Sequence, residues 1–351
     1  MDENANRGAA GQDHLLLRAA RGEQTERTPV WLMRQAGRTD PEYLAYRDNT
    51  GLPLEDLFRH PEHAANITLL PKRFGVDGLI IYQDILTPLT PMGAHFVFDP
   101  GPKLTKPIDT AADALALRSY DVAAELGFVR ETFARVHDLV QGTLPVLGFA
   151  GAPFTLAVFM LEGGSFKDKA DRSLAFFENE PVAAGHLMEQ LTAMTIAYLQ
   201  HQVRWGAAAV QLFESAAFLL TPDQYRRYAL PAQQAIFAAL RGHAPTIVFA
   251  REWPRAADLA AAGADIVSLP AGLGIRAARA ALGEGQVVQG NVDNKLLVTG
   301  PPEAIVAATE QCIEEGGHRG HIFNLSHGLL RETPYEHVRL VIDTALGYRC
   351  R

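Results

Sequence analysis

Two cysteines occur in 351 residues, Cys312 and the penultimate Cys350. A disulfide framework and a multi-cysteine metal centre are thereby excluded. No run is long and apolar enough to span a bilayer. The opening "MDENANRGAAGQDH" is acidic and polar without a secretory core, so residues 1–14 are expected to be a flexible tail on a cytoplasmic protein. Net positive charge is also missing: the formal balance is -8, which argues against nucleic acid as a partner but leaves a locally basic pocket open. The sequence has no G-x-S-x-G elbow, H-E-x-x-H, phosphate-binding loop, CxxC or glycine-rich dinucleotide fingerprint. No internal repeat or Gly/Ser linker divides the chain, which favours one domain over residues 15–351.

What the chain does have is a beat. Short apolar runs recur: Pro29 to Met33, Gly78 to Tyr82, Leu144 to Ala150, Ala207 to Phe213, Pro245 to Ala250, Asp265 to Leu269, Gln286 to Asn291 and His321 to Leu325. They are continuous rather than alternating, as in strands buried on both faces of a parallel sheet. Helix-like stretches lie between them, several with Pro near the start and Gly at the end. Eight such units predict an α/β fold, a single (β/α)8 TIM barrel, with an open doubly wound sheet as the structural alternative. The segment "LTPLTPMGAHFVFDPGPKLTKP" after the second run is too long for a simple loop and is expected to form a hairpin over the barrel mouth.

In a barrel, chemistry belongs at the C-terminal ends of the strands. Arg34 and Arg38 follow the first run, Asp84 the second and "GAPFT", with Phe159 downstream, the third. Glu214 and Ser215 end the fourth; Asn291 and Asp293 follow the seventh, and His327 the eighth. Each also has a plain structural reading. Asp84 suits a helix cap, Ser215 a loop hydrogen bond and His327 a turn, while Glu214 and Asp293 suit loop fixing. Their convergence on one face favours a site. Fixed cations, one carboxylate and an imidazole suit an anionic organic substrate whose reaction depends on positioning and electrostatics.

The ordered blocks "LLLRAARGE", "PVWLMRQAGR", "DIL", "GFAGAPFTL", "EGG", "QLFES", "QGNVD" and "NLSHG" resemble the uroporphyrinogen decarboxylase family over nearly the whole chain. The resemblance implies a carboxy-lyase of porphyrin and haem biosynthesis that converts uroporphyrinogen III to coproporphyrinogen III. Four acetates become methyl groups, without metal or organic cofactor. It also implies a single barrel, usually a homodimer with facing clefts. Asp84 takes the catalytic role beside the pyrrole N–H groups. Arg34 and Arg38 hold substrate carboxylates, and Gln35, Ala36 and Gly37 complete their loop through the backbone. Arg34 joins Asp84 in the catalytic set, although arginine is a poor proton donor. Phe159, Ser215 and His327 complete the substrate contacts, with His327 a candidate to carry charge.

Several positions depart from the family pattern. Thr39 and Asp40 replace Tyr-Leu, Gln83 a small serine, Phe159 a tyrosine and Ser326 a glycine. Ser268 to Ala271 replace Gly-Leu-Asp-Trp, and Asn294 replaces a common proline. Asp40 is expected either to turn outward or to pair with Arg34 or Arg38. These changes keep a second reading open: a paralogue acting on another tetrapyrrole or polycarboxylate, or a tetrapyrrole-binding protein without catalysis. Zinc-dependent methyltransferases of the same superfamily are a third, requiring a thiolate-bearing ligand set.

Overall fold

The computed structural model describes residues 13–98, 101–167, 169–283 and 285–350. The expected tail lies outside them except for Asp13 and His14, and the helix Leu15–Ala20 follows directly. The strands are β1 (Leu79–Ile80), β2 (Phe96–Phe98), β3 (Pro102–Leu104), β4 (Val146–Gly151), β5 (Ala209–Glu214), β6 (Thr246–Ala250), β7 (Ile266–Ser268), β8 (Val287–Gln289) and β9 (His321–Ile322). Seven of them form one curled parallel sheet in the order β1-β4-β5-β6-β7-β8-β9. Each falls within, or one residue beyond, an apolar run of the sequence. Burial on both faces accounts for those continuous runs: all six residues of β4 and all five of β6 are buried.

The first run, Pro29 to Met33, differs from expectation. It is no regular strand and meets β9 through one parallel bridge, Val30 to Phe323. Backbone bonds continue on both flanks, with Phe323 N donating to Pro29 O at 2.8 Å and Asp77 N donating to Val30 O at 2.7 Å. Side chains satisfy most of its own N–H groups. Val30 N donates to Asp77 Oδ2 (2.7 Å), Leu32 N to Gln35 Oε1 and Met33 N to Asn324 Oδ1 (both 3.0 Å). Buried N–H groups must find acceptors, and here carboxylate and amide oxygens replace a neighbouring strand. Asp77 is itself held by Arg27 in a two-pronged pair at 2.6 and 2.7 Å.

Helices cover the sheet where the periodicity places them. Pro181–Arg204 packs on β4 and β5, and Pro302–Gly316 on the helix Tyr335–Gly347. The stretch opening at Pro61 splits into an α-helix, Pro61–Leu69, and a 3-10 turn, Leu70–Phe74, ending on Gly75 with φ of 78°. The stretch after β5 contains a π turn, Tyr225–Ala229, before the helix Leu230–Leu240. In the long segment after β1, β2 and β3 pair antiparallel, Phe96 opposite Leu104. A bridge from Lys103 to Gly164 ties this pair to the "EGG" turn. A Cβ on Gly164 would lie 2.3 Å from Pro102 O, and its φ is 144°, so glycine is required at this crossing.

Candidate active site

A cavity of about 530 Å³ opens at the C-terminal ends of the strands. Arg34, the loop from Ala36 to Thr39, the β1 extension from Tyr82 to Leu86, Phe159, Ser215 and the loop from His327 to Arg331 all line it. Residues distant in sequence thus meet because parallel strands end on one face. A larger cleft, about 1050 Å³, lies at the opposite strand ends between Pro145, Ala208 and Pro245, and it contains none of the expected site residues.

Arg34 occupies the left-handed region with φ of 63°, where a non-glycine residue is strained. Gln35 N donates to Leu32 O at 3.1 Å and closes this turn. The reversed backbone turns the Arg34 side chain into the cavity. Loss of solvent lowers its pKa first; the guanidinium groups of Arg251 and Arg38 add to this, and Asp84 opposes them. Asp84 shares the cavity. Its Oδ1 accepts the Leu86 N–H at 2.6 Å, so the capping reading holds for one oxygen, while Oδ2 has no hydrogen-bond donor among the described residues. Burial raises the Asp84 pKa to about 6, against the lowering effects of the Leu86 bond and the Arg34 charge. This carboxylate ionises in the working range of a neutral-pH enzyme.

Ala36, Gly37, Arg38, Phe159, Ser215 and His327 all line the cavity as expected. Gln35 does not. It is buried beneath the loop, its amide bonded to Leu32 N and to Gly78 O (2.9 Å), and its own N–H serves the turn. Both ends of the amide therefore hold the arginine loop on the sheet and leave nothing for a ligand. His327 is also corrected, in charge rather than place. Burial, followed by the charges of Arg34 and Arg251, pushes its pKa down to about 3, so the imidazole is neutral. Its ring packs edge-on against Phe249, centroids 5.4 Å apart. It can donate or accept a hydrogen bond, but it adds no charge.

Asp40 follows neither expected course. It is buried, accepts the Glu42 N–H as N-cap of the helix Pro41–Thr50, and pairs with Arg73 at 2.5 Å. The "TDPE" departure is therefore a helix start, with Asp at the cap and Pro at the first helical position. Among other candidates, Asn291 donates to the carbonyls of Pro270 and Leu273, and Asp293 accepts Lys295 N, so both fix loops. Glu214 is buried behind Ser215. Thr155 Oγ1 donates to it in a very short bond, and burial raises its pKa to about 7. Cys312 is buried with its thiol donating to Gly290 O at 3.2 Å, and burial pushes its pKa up to about 12. It presents no thiolate to a metal.

Two arginines escaped sequence reasoning. Arg331 lines the cavity, and Arg251, directly after β6, sits over the Phe218 ring at 4.1 Å. Arg251 was findable: it ends a buried strand just as Arg34 ends the first run. Arg331 lies in a loop with no strand beside it, so no pattern marked it.

The comparisons with known proteins fit this geometry. Residues 12–348 match the family model described as uroporphyrinogen decarboxylase (URO-D). The chain belongs to the uroporphyrinogen decarboxylase family. A uroporphyrinogen decarboxylase from Syntrophotalea carbinolica is 39% identical over 337 residues, covering 95% of this chain and 97% of the relative. One from Myxococcus xanthus is 40% identical over 332 residues, covering 93% and 94%. Among solved structures, a methyltransferase from Methanosarcina mazei superposes with a TM-score of 0.77 at 20% identity, covering 94% of this chain and 97% of the other. That likeness is one of fold. No helix among the described residues of this family member is long and apolar enough to cross a membrane.

Proposed function

We propose that the protein decarboxylates the four acetate side chains of uroporphyrinogen III to give coproporphyrinogen III. The observation that carries this reading is one ionisable carboxylate, Asp84, in a largely apolar cavity that also holds the guanidinium groups of Arg34, Arg38 and Arg331. Such a lining suits a multiply anionic substrate that must develop positive charge at one point.

Loss of CO₂ from an acetate leaves an electron pair on the methylene carbon, and in water that cost is prohibitive. Protonation of the adjacent pyrrole at a ring carbon creates a cationic, iminium-like sink. The C–C bond to the carboxylate then breaks and its electron pair flows into the ring, giving an exocyclic methylene. A proton adds to that carbon to form the methyl group, and the ring carbon releases its own proton. One proton is consumed for each CO₂ released.

Asp84 acts where the cation forms. Its unengaged Oδ2 accepts pyrrole N–H bonds and stabilises the protonated ring. Arg34 and Arg38 hold substrate carboxylates as planar forks. Desolvation strengthens these contacts and raises the energy of the ionised reacting carboxylate relative to the neutral CO₂ it releases. Ser215 and neutral His327 supply hydrogen bonds, Phe159 supplies apolar contact, and the backbone of Ala36 and Gly37 shapes the loop. The reaction as written uses the pyrrole as its own electron sink and calls for no cofactor.

The finer architecture belongs to the same reading. The described residues from Leu15 onward form one domain, and the sheet closes into a (β/α)8 barrel through Pro29 to Met33. Support comes from the Val30–Phe323 bridge on one side and the Asp77–Val30 bond on the other. The β2–β3 excursion covers the mouth, a reading supported by Phe98, Gly101 and Pro102 in the cavity wall. The family resemblance supports a cytoplasmic homodimer. Anaerobic incubation of the purified protein with uroporphyrinogen III, followed by counting carboxylates on the product, tests the activity. Four CO₂ per substrate is the expected result. Unaltered octacarboxylate would overturn it.

A further inference from the structure

The cavity is strongly cationic in an acidic chain. Three guanidinium groups and one carboxylate line it among the described residues, whereas the chain carries a net charge of -8. None of the three arginines makes a hydrogen bond or ion pair with a carboxylate there. All three are exposed, Arg34 and Arg38 on one loop and Arg331 on another, whereas Asp84 and His327 are half-buried deeper in the cavity.

Arg331 is held by an ordered frame. Leu329 N donates to Met33 O at 3.1 Å, Asn294 Nδ2 donates to Gly328 O at 2.9 Å, and Thr333 N donates to Leu330 O at 3.2 Å. The loop bearing Arg331 is therefore fastened to the loop bearing Arg34 and Arg38. A fastened cation loses less freedom on binding than one on a loose segment.

We propose, resting on the decarboxylase reading above, that Arg331 is a substrate-binding residue that grips a propionate of the tetrapyrrole. The argument is one of depth and reach. An acetate must sit at Asp84 to react, so the reacting arm points inward. Propionates are longer, do not react, and reach the mouth, where Arg331 waits. A propionate clamp holds substrate, every intermediate and product alike. It is therefore a uniform-binding residue, acting on KM and leaving kcat unchanged.

The test compares Arg331→Gln, Arg331→Lys and a control, Arg241→Gln, which makes the same charge change on an exposed residue outside the cavity. Binding of the stable oxidised ligands uroporphyrin (eight carboxylates) and coproporphyrin (four propionates) is followed by fluorescence, alongside steady-state turnover. Arg331→Gln is expected to weaken both ligands by a similar factor of about ten, as loss of one charge-assisted hydrogen bond does. KM rises in step, kcat stays within about twofold, Lys restores part of the affinity and the control changes nothing. Weakening confined to uroporphyrin would assign Arg331 to an acetate and overturn the proposal. Unchanged affinity in a folded variant, or the same loss in the control, would also overturn it. If the wild type binds both porphyrins yet releases no CO₂, the decarboxylase reading fails while the clamp is still read from binding. If it binds neither, both fall.

Discussion

Gly328 leaves the room that the Arg34 side chain occupies. A Cβ built at position 328 would lie 2.6 Å from Arg34 Cδ, 2.7 Å from Cγ and 2.9 Å from Nε. The glycine beside His327 is thus a packing requirement of the arginine loop. Its φ is not in the left-handed region, so alanine fits the backbone and strikes only the side chain. Gly328→Ala is expected to displace Arg34, lower kcat/KM by about tenfold or more, and change stability by about 1–2 kcal/mol. Activity within twofold of wild type would show that the Arg34 pose is dispensable.

Asp84 sets the acid side of the pH profile. With its pKa raised to about 6, the carboxylate protonates as the pH falls through that value, and the pyrrole cation loses its partner. The rate is expected to fall below about pH 6. Asp84→Asn should cost roughly 10²–10³ in kcat with the fold intact and should abolish the limb. His327→Asn provides the contrast, because the imidazole is already neutral: KM should rise while the limb stays near pH 6. A limb that moves with His327 would reassign the titration.

Glu214 carries a stability prediction of definite sign. Its pKa is raised from 4.5 to about 7 by burial, so between those values the folded state binds more protons than the unfolded one. Stability contributed by this group is therefore present below about pH 4.5 and lost as the pH rises through 7. Glu214→Gln removes the charge and retains an acceptor for Thr155 Oγ1. Relative to wild type, the variant should gain about 3 kcal/mol in denaturant unfolding between pH 4.5 and pH 8. A pH-independent difference would show that Glu214 does not titrate in that window.

Asp40→Ala removes a helix cap and the partner of Arg73 together. A loss of about 2–3 kcal/mol in urea unfolding is expected, with kcat changed less than tenfold. Asp40→Asn keeps the cap and should fall between the two. An effect on KM larger than that on stability would place Asp40 in the binding site after all.

Phe159 stands in the cavity wall with its ring 4.8 Å from that of Phe166. Phe159→Tyr restores the hydroxyl of the family pattern and is expected to leave kcat/KM equal or higher. A large loss would contradict the geometry assigned to this wall.

What the linear sequence determined is the rhythm of strands and helices and the identity of the groups at strand ends. Buried parallel strands demand continuous apolar runs, and the first polar residue after each run must emerge on one face. Arg34, Arg38, Asp84, Ser215 and His327 were legible for that reason. The tertiary structure alone decided how each polar group is satisfied. Gln35 and Asp40 lie beside the arginines in sequence but turn to Gly78 and Arg73, partners 43 and 33 residues away. The Pro29 to Met33 segment relies on Asp77 and Asn324 for bonds that a ladder would otherwise supply. His327 is neutral because burial and two remote guanidinium groups disfavour its charge. Desolvation and Coulomb energy depend on distance in space, which no local pattern encodes. Residue type was written in the chain; protonation and partnership came only with folding.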